Sequence, residues 1–246
     1  MHLIRRDGSA KRRIVLLAFS IASLAVVAGY SPDVGATKTQ GKSVIYLGCD
    51  QANPFCASYN KTMESGLRKA GFSVKSLYNE FDPAQQAQQM AQATAQKPDA
   101  LVVFVADSTA IVPSLARAHA ANIPVIVVGT DIVSAGLKYV SLVNVENSAA
   151  LGHFAAVNLV EGMKKEGLKK GNVIAITGTS SQLDTQKRMA AFKAYLAKYP
   201  QFKLVAVADA SWDPIKSATL AKSLYAKYSA KGGVQGVTCS PPELTG

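Results

Sequence analysis

Short apolar runs alternate with longer amphipathic stretches over most of the chain. Residues 43–48, 72–78, 100–106 and 125–128 read as strands. The last two are almost continuously apolar, as expected of strands covered on both faces. Between them lie helical patterns. One begins at Pro54, where a missing N–H costs nothing, carries Ala57, Met63, Leu67 and Ala70 roughly on one face, and ends at Gly71. A Gln/Ala-rich helix capped by Asp82-Pro83 runs to Ala95, and a third follows Asp107-Ser108 to about Ala121. Strands alternating with helices of this length imply parallel βαβ units.

Gly129-Thr130-Asp131 opens an irregular stretch, and residues 138–145 alternate as an extended segment. A helix from Asn147 to about Glu166 then starts a second series. It comprises strands at 173–177, 202–208 and 234–237, polar loops at 178–184 and 209–214, and helices to about Lys198 and Tyr228. The fold expected is α/β: two doubly wound parallel-sheet, Rossmann-like domains joined by a hinge, the second incomplete. Residues 37–143 form the first domain and 144–237 the partial second one. Residues 238–246, with Pro241-Pro242 ending regular structure, read as an aberrant tail.

The N-terminus follows a different pattern. Basic residues from Arg5 to Arg13 precede an apolar run, 14–28, that is shorter than the ~20 residues of a membrane span. With Val34-Gly35-Ala36 offering cleavage before Thr37, and Ala28 an earlier option, residues 1–36 are expected to be a secretory signal peptide. Tyr30 stands where a lipidated Cys would be needed, which argues against a lipid anchor. The mature protein is therefore expected in the periplasm, without membrane insertion.

The formal charge of +11 falls to +8 when Arg5, Arg6, Lys11, Arg12, Arg13, Asp7 and Asp33 are set aside. The remaining Lys residues are scattered over helix faces, with no interleaved aromatics, so nucleic acid is not an expected partner. Of the three cysteines, Cys49 ends a strand and Cys56 opens a helix. Small buried side chains are the favoured expectation, and a disulfide, which export permits, is the alternative. Neither their spacing nor a nearby His suggests a metal, and no cofactor motif is present. His119 and His153 read as helix-face residues and pair with no evident nucleophile.

Ligands of open α/β sheets bind at the carboxyl ends of strands. The loop after the first strand, with Asp50, Gln51, Asn53 and Phe55, is accordingly a candidate surface. Asn53-Pro54-Phe55, Asp107-Ser108, the run 121–126, Glu146-Asn147 before Gly152, Gly178-Thr179-Ser180 with Arg188 and Phe192, and Trp212-Asp213 occur in the order found in sugar-binding periplasmic proteins of ABC transporters. The chain resembles the ribose-binding type over residues 43–237.

The resemblance implies a ligand site in which Asn53 and Arg188 bond sugar hydroxyls and Phe55 covers an apolar sugar face. Trp212 is either a lid or a core residue. Cys56 stands where the family often has a second aromatic. Phe104 replaces a frequent Asn. Asp131 serves the site with a one- or two-residue shift, if at all. Asp107 and Ser108 are expected to cap a helix, whereas Asn147 and Glu146 are open among ligand, hinge and cap roles. The family continues beyond the point where this chain stops, which reads as truncation or a frameshift near Thr238.

The function implied is a monomeric solute-binding protein that captures a monosaccharide between two lobes for an ABC permease. A chemotaxis-type sensor and a non-functional fragment are the alternatives, and an enzyme on a doubly wound fold is a distant third, since no Walker or GxGxxG pattern is present.

Overall fold

The computed structural model describes residues 41–239. The first lobe alternates strand and helix: β1 Ser43–Gly48, α1 Pro54–Lys69, β2 Ser73–Tyr78, α2 Pro83–Ala95, β3 Ala100–Phe104, α3 Val112–Ala120, β4 Val125–Gly129 and β5 Leu142–Val145. Its five strands are parallel in the order β2-β1-β3-β4-β5. The second lobe comprises α4 Ser148–Lys165, β6 Gly171–Thr177, α5 Leu183–Leu196, β7 Phe202–Asp209, α6 Pro214–Tyr228 and β8 Gly236–Cys239. Its parallel sheet has the order β7-β6-β8. In both lobes the first strand lies inside the sheet and its neighbours add on either side, so the chain crosses over at that strand.

Strand alternation sorts the first core onto two faces. Ile45, Leu47, Leu101, Val103, Val125 and Val127 pack beneath α2 and α3 with Met90 and Leu115. Val44, Tyr46, Val102, Ile126 and Val128 pack beneath α1 with Leu67 and Phe72. The second lobe concentrates its core beneath α4 and α5, where Val160, Met163, Phe192 and Leu196 meet Val173 and Phe202. Its α6 buries only Ser217 and leaves Ile215 80% exposed.

Local chemistry fixes the helix starts. Asn53, Asp82 and Asp213 each stand before a Pro and each accept a hydrogen bond from a first-turn N–H. The cap satisfies an otherwise orphaned donor, and the Pro has no N–H to satisfy.

Several boundaries differ from the sequence pattern. Residues 134–139 form a 3-10 turn (Ser134–Tyr139) in place of the start of an extended segment. β5 completes the first sheet beside β4, two residues past the expected boundary at 143. β8 pairs Val237, Thr238 and Cys239 with β6, so regular structure continues past Val237. Asp107 caps a turn, accepting from Thr109 and Ala110 N at 2.9 and 2.8 Å, while α3 itself starts later, at Val112, without a side-chain cap. Residues 1–40, which include the segment expected to be a signal peptide, and residues 240–246 lie outside the described residues, among which no helix is long and apolar enough to cross a membrane.

Candidate ligand-binding site

The strand ends of the two lobes border a cavity of about 890 Å³, at the place where parallel sheets bind ligands. The β1–α1 loop forms one wall. Asn53, only 7% exposed, spends its side-chain oxygen on Cys56 N at 3.2 Å, and its Nδ2 donates across the lobes to the Trp212 carbonyl at 3.1 Å. Phe55 and Tyr59 are four residues apart and so share a face of α1. Their ring centroids are 5.8 Å apart, and Tyr59 meets Phe104 edge-on at 5.3 Å. Phe55 is 46% exposed at the cavity rim, unlike a core aromatic.

Arg188 and Trp212 face this wall from the second lobe. Arg188 projects from α5, forms an ion pair with Glu146 at the crossing between lobes, and lies 4.0 Å from Asp184. Its guanidinium carbon sits 5.6 Å from the Trp212 ring centre. Trp212 occupies the loop after β7, where Ser211 (φ 54°) and Trp212 (φ 63°) are both left-handed, a conformation that costs of order 1–3 kcal/mol per residue. Asp209 secures this loop by accepting from Ser211 N at 2.7 Å and Ser180 N at 2.8 Å. The indole lies directly on Gly178, where an added Cβ would come within 2.1 Å of the ring.

Asn53, Phe55, Cys56, Arg188 and Trp212 all line the cavity. Trp212 is half-buried at the cavity's edge. Asn147 and Asp131 are not among the lining residues. Asn147 is an exposed N-cap whose Oδ1 accepts from Ala150 N at 3.1 Å, a role for which Asn is among the best residues. Asp131 accepts from Ile132 N at 2.8 Å and pairs with Lys187 of α5, so its charge is spent on a contact between lobes.

The expectation that Cys49 and Cys56 are merely small buried residues is corrected. They form a disulfide with Cα atoms 5.6 Å apart. Cys56 thus tethers the loop carrying Asn53 and Phe55. Reduction, or the Cys49→Ala/Cys56→Ala pair, should lower stability by about 2 kcal/mol by releasing this short loop, visible as an earlier thermal midpoint in dithiothreitol; an unchanged midpoint would refute that role.

Pattern reading overlooked Tyr59, Asn144, Gln182 and Asp184, the first, second and last of which line the cavity. The position of Gln182 and Asp184 after a predicted strand was the available signal. Asp184 is 4% exposed, and its Oδ1 has no hydrogen-bond partner. Burial, reinforced by the Asp131 charge and opposed by backbone amides and Lys187, pushes its pKa from the ordinary 3.8 up to about 6.

The fold therefore favours the protonated form of Asp184. Its stability contribution is full below the unfolded value and is lost as pH rises from about 4 through 6. Asp184→Asn should leave the melting temperature at pH 4 nearly unchanged. At pH 7.5 it should stabilise by roughly 1–3 kcal/mol, following 1.36 kcal/mol per pKa unit. Equal shifts at both pH values would contradict this account.

The family model described as "Periplasmic binding protein domain" matches residues 44–244. The chain belongs to the periplasmic binding protein family. A D-apiose import binding protein of Actinobacillus succinogenes is 24% identical over 185 residues, which is 75% of this chain and 58% of the relative. The ribose import binding protein of Escherichia coli is 23% identical over 225 residues, covering 91% of this chain and 72% of the relative. The chain thus spans little more than half the length of the first of these.

Among solved structures, a galactofuranose binding protein aligns with a TM-score of 0.77 at 17% identity over 83% of this chain and 68% of its own. The periplasmic binding component of the arabinose ABC transporter from Shewanella sp. ANA-3, bound to α- and β-L-arabinofuranose, aligns with a TM-score of 0.75 at 18% identity over 82% and 66%. These likenesses establish the fold as that of periplasmic binding proteins.

Proposed function

We propose that this chain captures a monosaccharide between its two lobes and delivers it to the membrane permease of an ABC importer. One observation carries the reading: the Phe55–Tyr59–Phe104 wall of one lobe faces Arg188 and Trp212 of the other across a single cavity. A sugar presents apolar C–H faces and a rim of hydroxyls. Aromatic rings cover the first, and planar groups such as Arg188, with the second amide N–H that Asn53 keeps beyond its Trp212 bond, bond the second directionally. The import role of the relatives supports the same reading. In it the protein works as a monomer in the periplasm, reached through the signal peptide of residues 1–36, needs no cofactor and performs no catalysis. Hinge closure of the lobes around the sugar is the working motion.

Trp212 is the chain's single tryptophan, so its emission reports the site without labelling. Titration calorimetry and tryptophan fluorescence against D-ribose, D-apiose, L-arabinose, D-allose and D-galactose should show one-to-one uptake of at least one sugar, which is recovered unchanged. Silence toward the whole panel, or chemical conversion of a sugar, would overturn the proposal.

A further inference from the structure

Gln182 is fully buried at the N-cap position of α5, yet its side chain makes no capping bond. Its amide is used across the lobes instead. Nε2 donates to the Ala106 carbonyl of the first lobe at 2.8 Å, and Oε1 accepts from Trp212 Nε1. The adjacent Leu183 N donates to Ser108 Oγ of the first lobe at 2.8 Å, which places this amide in the seam where the lobes meet. We infer that Gln182 is a positioning residue that couples lobe closure to the seating of Trp212 over the cavity. The relevance to sugar capture rests on the function proposed above, but the coupling itself does not.

The argument follows from what each partner can do. A carbonyl only accepts and an indole N–H only donates. With the lobes together, Ala106 selects the NH2 end of the Gln182 amide, and this leaves the oxygen facing Trp212. A flipped amide would oppose acceptor to acceptor and donor to donor in a buried site, where unmade bonds are costly. Opening the hinge removes Ala106 from reach, because the two groups belong to different lobes. The amide is then free to rotate, and Trp212 loses the partner that orients it. The left-handed backbone at Ser211 and Trp212 makes this loop dependent on such external bonds, since strained conformations persist only where surroundings over-determine them. Closure therefore delivers the lid in a fixed orientation, and no sugar atom is needed for it.

The test uses ligand-free protein with the lobes joined by a Ser108→Cys/Leu183→Cys disulfide in a Cys239→Ser background, closure being verified by the radius of gyration in solution scattering. Acrylamide quenching then reads the exposure of Trp212. Gln182→Met, of similar volume but without either bond, should raise the quenching constant about twofold or more at an unchanged radius. Gln182→Glu, read at pH 5 with its buried carboxyl protonated, donates its O–H to the Ala106 carbonyl and accepts from Trp212 Nε1 with its other oxygen, and should leave the indole shielded. Equal quenching in the parent and both variants, with at most a change in melting temperature, would overturn the inference. Because no sugar is present, the result is independent of whether the protein binds one.

Discussion

Gly152→Ala is expected to destabilise the second lobe by roughly 3 kcal/mol, at the upper end of overpacking costs. The sign alone is informative, since Ala in place of Gly inside a helix would stabilise by about 1 kcal/mol on propensity. Gly152 lies where α4 crosses α5. A Cβ there would stand 2.0 Å from the Arg188 carbonyl oxygen and 2.7 Å from its Cα. These are backbone atoms of a helix, so no rotamer change relieves the clash and the two helices must separate. Separation unpacks Ala156, Val160, Phe192 and Leu196, the core residues that the two helices share. It also moves Arg188 away from the cavity. Urea unfolding followed by Trp212 emission, which lies in this lobe, should show a lower midpoint than the parent protein. An unchanged or higher midpoint would mean that the helices do not approach this closely.

On the function proposed above, Arg188→Met should weaken sugar binding by about tenfold or more, the roughly 1.5–3 kcal/mol that hydrogen bonds from a charged group contribute. Arg188 is the cation facing the cavity beside two carboxylates, Glu146 and Asp184. Removing it leaves both without this guanidinium and takes away the planar donor group best suited to paired hydroxyls. Arg188→Lys should not restore affinity, because a flexible point charge cannot replace a guanidinium fork that also lies against the Trp212 ring. Lys187→Met is the contrasting neighbour. Its side chain is 46% exposed on the Asp131 pair outside the cavity lining, so its effect should stay within the small range of surface ion pairs. Calorimetric titrations of the three variants against the sugar that the parent binds would check this order, and Arg188→Met binding as tightly as the parent would remove Arg188 from the site.

The candidate site was partly legible because its best-marked residues sit at positions that local rules can find. Asn53 precedes Pro54 at the end of a buried strand, and Trp212 precedes Asp213-Pro214 in the same arrangement in the second lobe. Each marks a strand-to-helix loop at the carboxyl end of a sheet, where ligands bind. Asn147 is marked by the same rule, and what distinguishes it from Asn53 is place: both cap a helix with Oδ1, but only Asn53 lines the cavity. Asp131 was ambiguous, since its partner Lys187 is 56 residues away.

By itself the sequence determined the alternation of strands and helices, the parallel α/β class, the helix starts at Pro54 and at Asp82-Pro83, and the order of the family's motifs. These depend on periodicity and on bonds spanning a few residues, which the chain carries locally. Only the tertiary structure decided that Cys49 and Cys56 are bonded, that β5 completes the first sheet, that Asp131 serves Lys187, and that Gln182 bridges Ala106 to Trp212. It also decided that Asn53 reaches the Trp212 carbonyl, 159 residues along the chain. Such contacts form because two lobes bring distant strand ends together across one cavity, and no local pattern records which of the polar groups gathered there will meet.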